Sequence, residues 1–248
     1  MKGAILFDST KCIGCEACVA ACKEKNNLPA TIDPTLTAYT WTVVEQRNKA
    51  FIRRLCMHCE SPTCASVCPV EAFRKEPSGP VIYDASRCIG CRYCIMACPF
   101  DVPKYQWDRA VPIVQKCTMC ADRIAAGKQP ACATVCPTGA TIFGDRDQLI
   151  GEARARLEAA PKAYVPKIYG LEEVGGTSVL MLSSVPFLSL GIRPDLPLTP
   201  LPTLTWKALS KVPDIVVVGG ALLYGIWWIT HRRIRVQEAL AQEAAKKG

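Results

Sequence analysis

The sequence predicts an α+β fold of two related cysteine-rich modules, followed by one C-terminal membrane-spanning helix. Three observations predict it. Sixteen cysteines among 248 residues fall into four groups of four. The approach to one group recurs before another: Leu6-Phe7-Asp8-Ser9-Thr10-Lys11-Cys12-Ile13-Gly14-Cys15 matches Ile82-Tyr83-Asp84-Ala85-Ser86-Arg87-Cys88-Ile89-Gly90-Cys91, 76 residues further on. Such self-similarity marks a duplicated module. Finally, residues 215–230 carry no charge.

The first group is Cys12, Cys15, Cys18 and Cys22, and the second is Cys56, Cys59, Cys64 and Cys68. The third is Cys88, Cys91, Cys94 and Cys98, and the fourth is Cys117, Cys120, Cys132 and Cys136. Proline follows every group except the first, where Lys23 stands. The third group reads C-x2-C-x2-C-x3-C-P, the run that holds iron–sulfur clusters in bacterial ferredoxins. Three closely spaced thiolates wrap one cluster, and the fourth points toward a second. The proline stops the short helix that carried it. Four such groups supply ligands for four [4Fe–4S] clusters, two in each of two bacterial-ferredoxin-like modules related by a pseudo-twofold. Thiolate is soft, so metals that prefer hard oxygen ligands are poor candidates. C-x2-C pairs also bind zinc, but as two plus two rather than as triplets. A non-redox protein with four structural zinc sites is the rival reading from another class. A disulfide scaffold is usually shorter and denser in cysteine. Spacing alone leaves open which groups share a module.

Residues 1–7 are too short for the apolar core of a signal peptide and run into Asp8. They are expected to form a first β-strand, with no N-terminal export signal. Gly14 and Gly90 sit inside cluster loops, where positive φ or close approach to the cluster is expected. Residues 37–44, rich in Thr, Tyr, Trp and Val, are expected as a strand, and so are residues 50–55. His58 lies inside the second group, which already has four cysteines, so it reads as an ordinary loop residue. Residues 139–144 are a returning strand. Residues 147–160 are a surface helix capped by Asp147, with Leu149, Ile150, Ala153 and Leu157 on one face. Residues 186–213 hold six of the nineteen prolines, which predicts an extended connector and no helix.

The uncharged stretch, with Val212 and Pro213 before it, approaches the length that spans a bilayer. Trp227 and Trp228 sit where an interfacial aromatic belt falls, and His231, Arg232, Arg233 and Arg235 follow at once. Gly219, Gly220 and Gly225 offer a small face for a partner helix. Lys207 and Lys211 precede the span, against Arg232, Arg233, Arg235, Lys246 and Lys247 after it. The positive-inside rule puts the C-terminus in the cytoplasm and the cysteine modules on the periplasmic, outer face of the inner membrane. Without its own signal, the chain is expected to cross already folded, beside a partner that bears a twin-arginine signal. The competing placement leaves the modules in the cytoplasm. His231 reads as an anchor rather than a haem ligand. The net charge of +8 reads as a solvated basic surface. No basic stripe with interleaved aromatics is present, so nucleic acid is not an expected partner.

The run Lys116-Cys117-Thr118-Met119-Cys120-Ala121-Asp122-Arg123, then Pro130-Ala131-Cys132 and Cys136-Pro137-Thr138-Gly139-Ala140, carries a resemblance. So do Tyr169-Gly170, Gly175-Gly176-Thr177 and the single C-terminal helix. Over nearly all of residues 1–235 the chain resembles the four-cluster iron–sulfur subunits of membrane-bound respiratory oxidoreductases, above all the β subunit of periplasm-facing formate dehydrogenase. Val179-Leu180-Met181-Leu182-Ser183-Ser184-Val185-Pro186 looks more like the ferredoxin-type subunit of membrane-bound uptake [NiFe] hydrogenase.

The resemblance implies how the groups pair. The first and fourth share one module (residues 1–50 and 100–146), and the second and third share the other (51–99). A helix and connector (147–211), the transmembrane helix (212–231) and a cytoplasmic tail (232–248) follow. It implies one cluster on Cys12, Cys15, Cys18 and Cys136, and a second on Cys22, Cys117, Cys120 and Cys132. A third takes Cys56, Cys59, Cys64 and Cys98, and the fourth takes Cys68, Cys88, Cys91 and Cys94. Lys23 in place of proline removes no ligand. The implied role is a non-catalytic electron wire in anaerobic respiration. It would link a molybdenum- or tungsten-pterin catalytic subunit, or a [NiFe] subunit in the alternative, to a membrane cytochrome b or quinone-reactive partner. The direction of flow stays open.

Overall fold

The computed structural model describes residues 2–31 and 33–247. Met1, which opens the expected first strand, and Gly248 of the tail lie outside them. The chain divides into a unit that runs to Pro202 and another that begins at Thr203. In chain order, the first unit begins with β1 (Gly3–Asp8), α1 (Ala17–Lys25), β2 (Val43–Arg47), β3 (Ala50–Arg54) and α2 (Thr63–Ser66). It continues with β4 (Phe73–Lys75), β5 (Val81–Tyr83), α3 (Tyr93–Ala97), β6 (Lys104–Tyr105) and β7 (Val114–Gln115). Then come α4 (Ala121–Ala125), α5 (Ala131–Thr134), β8 (Thr141–Asp145), α6 (Arg146–Ala159) and β9 (Val179–Leu182). The elements α7 (Leu201–Leu209) and α8 (Val212–Lys247) complete the chain.

Every residue of β1 is buried, because this strand is the middle of a three-stranded sheet. It pairs antiparallel with β8 and parallel with β9. Successive side chains point to opposite faces, so β1 feeds two cores. Ala4 and Leu6 join Leu180, Leu182 and the Leu149, Ile150 and Ala153 face of α6. Ile5 and Phe7 join Val179, Met181, Ile52 and Tyr169 in the larger core, which also holds Cys56, Cys117 and Cys132. A third, smaller core gathers Phe73, Val81, Val114 and Cys94. The cysteine groups are thus walled by apolar side chains.

Three local expectations change. The strand begins at Val43, not at residue 37. Asp33 accepts hydrogen bonds from the Thr37 and Thr40 hydroxyls at 2.8 and 2.7 Å, and these hold that stretch as a loop. The cap of α6 is Asp145, which accepts from the Asp147 N–H at 3.0 Å; Asp147 lies in the first turn. The proline-rich stretch holds a 3₁₀ turn at Phe187–Leu190 and the helix α7. Pro202 is the second residue of α7 and Pro213 the second of α8, in first turns where no N–H is needed. Beyond the expected span, α8 continues as one helix through the tail. Residues 201–246 include a stretch long and apolar enough to cross a membrane, with none of it buried. Within α8, His231 stacks on Trp227 with ring centroids 5.1 Å apart, and Arg232 lies 5.3 Å over the Trp228 ring.

Candidate metal-cluster sites

Each cysteine group is a tight loop that runs into a helical turn. Gly14 and Gly90 both take φ of +71°, and the residues just before the helices, Glu16 and Arg92, are left-handed at 56° and 63°. The repeat in the sequence is therefore a repeat of backbone shape. The second and fourth groups match each other in the same way: His58 and Met119, each two residues after the first cysteine, take φ of 50° and 54°. Pro62 and Pro130 then open the helical turns that carry Cys64 and Cys132.

Twelve of the sixteen thiols line three small cavities, each lined by cysteines from two different groups. Cys12, Cys15, Cys18 and Cys136 line one small cavity with Phe7, Val44 and Ala140. Cys56, Cys59, Cys64 and Cys98 line another with Val81, Val102 and Lys116. Cys68, Cys88, Cys91 and Cys94 line a third with Val70, Phe73 and Val114. Cys22, Cys117, Cys120 and Cys132 are all buried; Cys22 stands on α1, which packs against α5, the helix of Cys132, and Cys117 and Cys132 share the larger core.

Burial dominates the chemistry of these thiols. It pushes Cys22, Cys64 and Cys94 up to about 12, with neighbouring thiols adding to it, and it holds Cys59 and Cys117 well above the ordinary thiol range. Cys136 is the exception. There burial is outweighed by hydrogen bonds from the Thr141 N–H and the Thr138 side chain, which lower it. Without metal, most of these sulfurs stay protonated at neutral pH, so loading a cluster must release protons. Backbone N–H groups already donate to the sulfurs, as donors to metal-bound sulfur do. Ala72 donates to Cys68 Sγ at 3.2 Å, Met119 to Cys117 at 3.3 Å, and Gly90 and Thr141 to Cys88 and Cys136 at 3.4 Å.

Among the described residues, no three His, Cys, Asp or Glu side chains close on a point that would hold a single ion. Zinc would draw four sulfurs to about 2.3 Å from one centre. Three of these sets each line a small cavity, which fits a cluster of four irons and four sulfides with one thiolate on each iron.

Several polar residues at the sites escaped the sequence reading. Arg53 is 1% exposed, and its Nε donates to Thr42 Oγ1 at 2.9 Å. Lys116 is buried and donates to the carbonyls of Val81 and Cys117. Tyr83, whose hydroxyl accepts from the Val114 N–H at 3.3 Å, keeps its phenol protonated through burial beside Cys88. His58 is no ordinary loop residue: it is fully buried, and its Nδ1 accepts from the Val81 N–H at 2.8 Å. Burial, helped by Lys116 and Lys75, holds its imidazole neutral. Lys23 is buried as well, donating to the Tyr39 carbonyl at 2.8 Å and the Thr40 hydroxyl at 2.7 Å. Its ammonium anchors the loop over α1, a task that a proline could not perform.

Loops, apolar walls and thiol sets together define a protein built to hold iron–sulfur clusters. Residues 47–146 match a 4Fe-4S dicluster domain, and residues 5–25 match a 4Fe-4S binding domain. The formate dehydrogenase-O iron-sulfur subunit of Escherichia coli is 37% identical over 88% of this chain and 79% of its own. The Escherichia coli hydrogenase-2 operon protein HybA is 37% identical over 76% of this chain and 72% of its own. A protein of Nitratidesulfovibrio vulgaris is 42% identical over 98% of this chain and 70% of its own. The chain belongs to the family of iron–sulfur subunits of the formate dehydrogenase and hydrogenase type.

Proposed function

We propose that this chain is the electron-transfer subunit of a membrane-bound oxidoreductase and carries four [4Fe–4S] clusters in two modules related by a pseudo-twofold. The observation that carries this is that three small cavities are each lined by four thiols from two different groups, while the remaining four thiols are buried. The sets support one cluster on Cys12, Cys15, Cys18 and Cys136, and one on Cys22, Cys117, Cys120 and Cys132. They support a third on Cys56, Cys59, Cys64 and Cys98, and a fourth on Cys68, Cys88, Cys91 and Cys94. Groups one and four then form the module of residues 1–50 and 100–146, and groups two and three form that of 51–99.

The clusters supply one-electron redox chemistry when bound. The chain's own residues hold them, exclude water with apolar walls, and set the polar surroundings that tune each potential. The chain itself makes and breaks no substrate bonds. Its partners are a molybdenum- or tungsten-pterin formate dehydrogenase subunit at one end and a membrane cytochrome b or quinone-reactive subunit at the other. A [NiFe] hydrogenase partner is the second reading, favoured by the likeness to the hydrogenase-2 operon protein. The helix of residues 212–231 crosses the inner membrane, with the clusters on the periplasmic side and the tail in the cytoplasm.

The test is Cys94→Ser in the assembled complex. Quinone reduction should fall at least about tenfold while the catalytic partner still reduces a soluble dye. Unchanged quinone reduction would exclude a linear wire. Molybdenum or tungsten in the purified complex favours the formate partner, and nickel the hydrogenase.

A further inference from the structure

We propose that Arg53 is a tuning residue, a fixed buried positive charge that raises the reduction potential of the two clusters held at Cys18 and at Cys132 relative to the one held at Cys88. This rests on the four-cluster assignment above. Arg53 is 1% exposed. Its guanidinium donates to two neutral hydroxyls, Thr42 Oγ1 at 2.9 Å and Thr141 Oγ1 at 3.4 Å. Among the described residues no carboxylate pairs with it. A guanidinium buried without a counter-charge is very costly, so its partner is to be sought among the groups it faces. These are the thiols of Cys132, Cys18 and Cys117. Thr141, its second hydroxyl partner, donates its own N–H to Cys136 Sγ at 3.4 Å and lines the cavity of Cys12, Cys15 and Cys18. The counter-charge that fits is therefore the thiolates themselves and the anionic cluster they hold.

Reduction of such a cluster adds one electron, hence one negative charge, and requires no proton. A fixed cation nearby, screened little because it is buried, stabilises the reduced form more than the oxidised form. The potential rises accordingly. The repeat supplies a comparison. Arg53 stands three residues before the first cysteine of the second group, and Val114 stands three before that of the fourth. Val114 lines the cavity of Cys68, Cys88, Cys91 and Cys94, where the one lining cation is Arg92. Arg92 is exposed, and its guanidinium lies over the Tyr105 and Trp107 rings at 5.9 and 5.2 Å.

The experiment is a potentiometric titration, followed by electron paramagnetic resonance, of the full chain in its complex. Wild type, Arg53→Gln and Arg53→Lys are compared, with signals assigned beforehand through single Cys→Ser variants. Arg53→Gln should lower the midpoints of the clusters at Cys18 and Cys132 by at least tenfold in the oxidised-to-reduced ratio, about 59 mV for one electron. The cluster at Cys88 should not move, and Arg53→Lys should stay near wild type. Unmoved midpoints, or all four falling together, would overturn the proposal. If Arg53→Gln binds no iron, Arg53→Lys decides. Iron loading at wild-type potentials supports a need for charge; failure of both variants means that shape alone matters and overturns it. A wild-type chain without clusters sinks the four-cluster assignment and this inference together, whereas a loaded wild type with unmoved variant midpoints sinks this inference alone.

Discussion

Tyr83 and Phe7 hold the same place in the repeated approach to a cysteine group and differ by one hydroxyl. That hydroxyl accepts from the Val114 N–H at 3.3 Å and faces the Cys88 thiol. Donors to a cluster sulfur favour the reduced, more negative form. Tyr83→Phe should therefore lower the midpoint of the cluster at Cys88 by roughly threefold in the oxidised-to-reduced ratio, within the about 0.5–1.5 kcal/mol of a net hydrogen bond. Iron content should be unchanged, and the same titration reads both. The four cysteine groups were legible in the sequence, because their spacing is local. The polar residues around them were not, with one partial exception. Arg53 and Arg54 are neighbours in a strand, and period two sends one of any such pair inward. Here Arg54 pairs with Glu45 at 2.8 Å while Arg53 is buried. Nothing local marks His58, whose partner Val81 lies 23 residues away.

The cysteine loops work as elements only where the backbone can turn left-handed. At Gly14, φ is +71° and an added Cβ would come within 2.3 Å of the Phe51 ring on β3. Gly14→Ala should thus cost about 1–3 kcal/mol of backbone strain, before the clash is counted. Thermal melting of the loaded chain should show the loss, with iron released first from the set containing Cys12. Repeats and turns of this kind were readable, since both rest on short-range chemistry. The loop at residues 37–42 was not. Its β propensity is overridden by Asp33 and by the buried Lys23 ammonium, contacts that composition does not display. The proline-rich stretch misled for a related reason: proline forbids helix interiors, and Pro202 and Pro213 sit in first turns. Nor does a short apolar run such as Val179–Leu182 announce that it pairs with a strand more than 170 residues earlier.

At the scale of the whole molecule, the chain divides between the cluster-bearing unit and the apolar helix that follows. Each of the three cores is built from residues of the first unit. Truncation after Pro202 should release an iron-loaded, brown protein into the soluble fraction, with at least about tenfold less quinone-linked activity in membranes. Fractionation and visible absorption check this. If the truncated chain stayed with membranes stripped of its partners, the helix would not be the anchor.

The central claim is that sixteen thiols hold four clusters, and one measurement tests it most directly: iron and acid-labile sulfide per chain, in full-length protein purified anaerobically in mild detergent. The account predicts about sixteen of each. About four zinc ions with little iron or sulfide would contradict it.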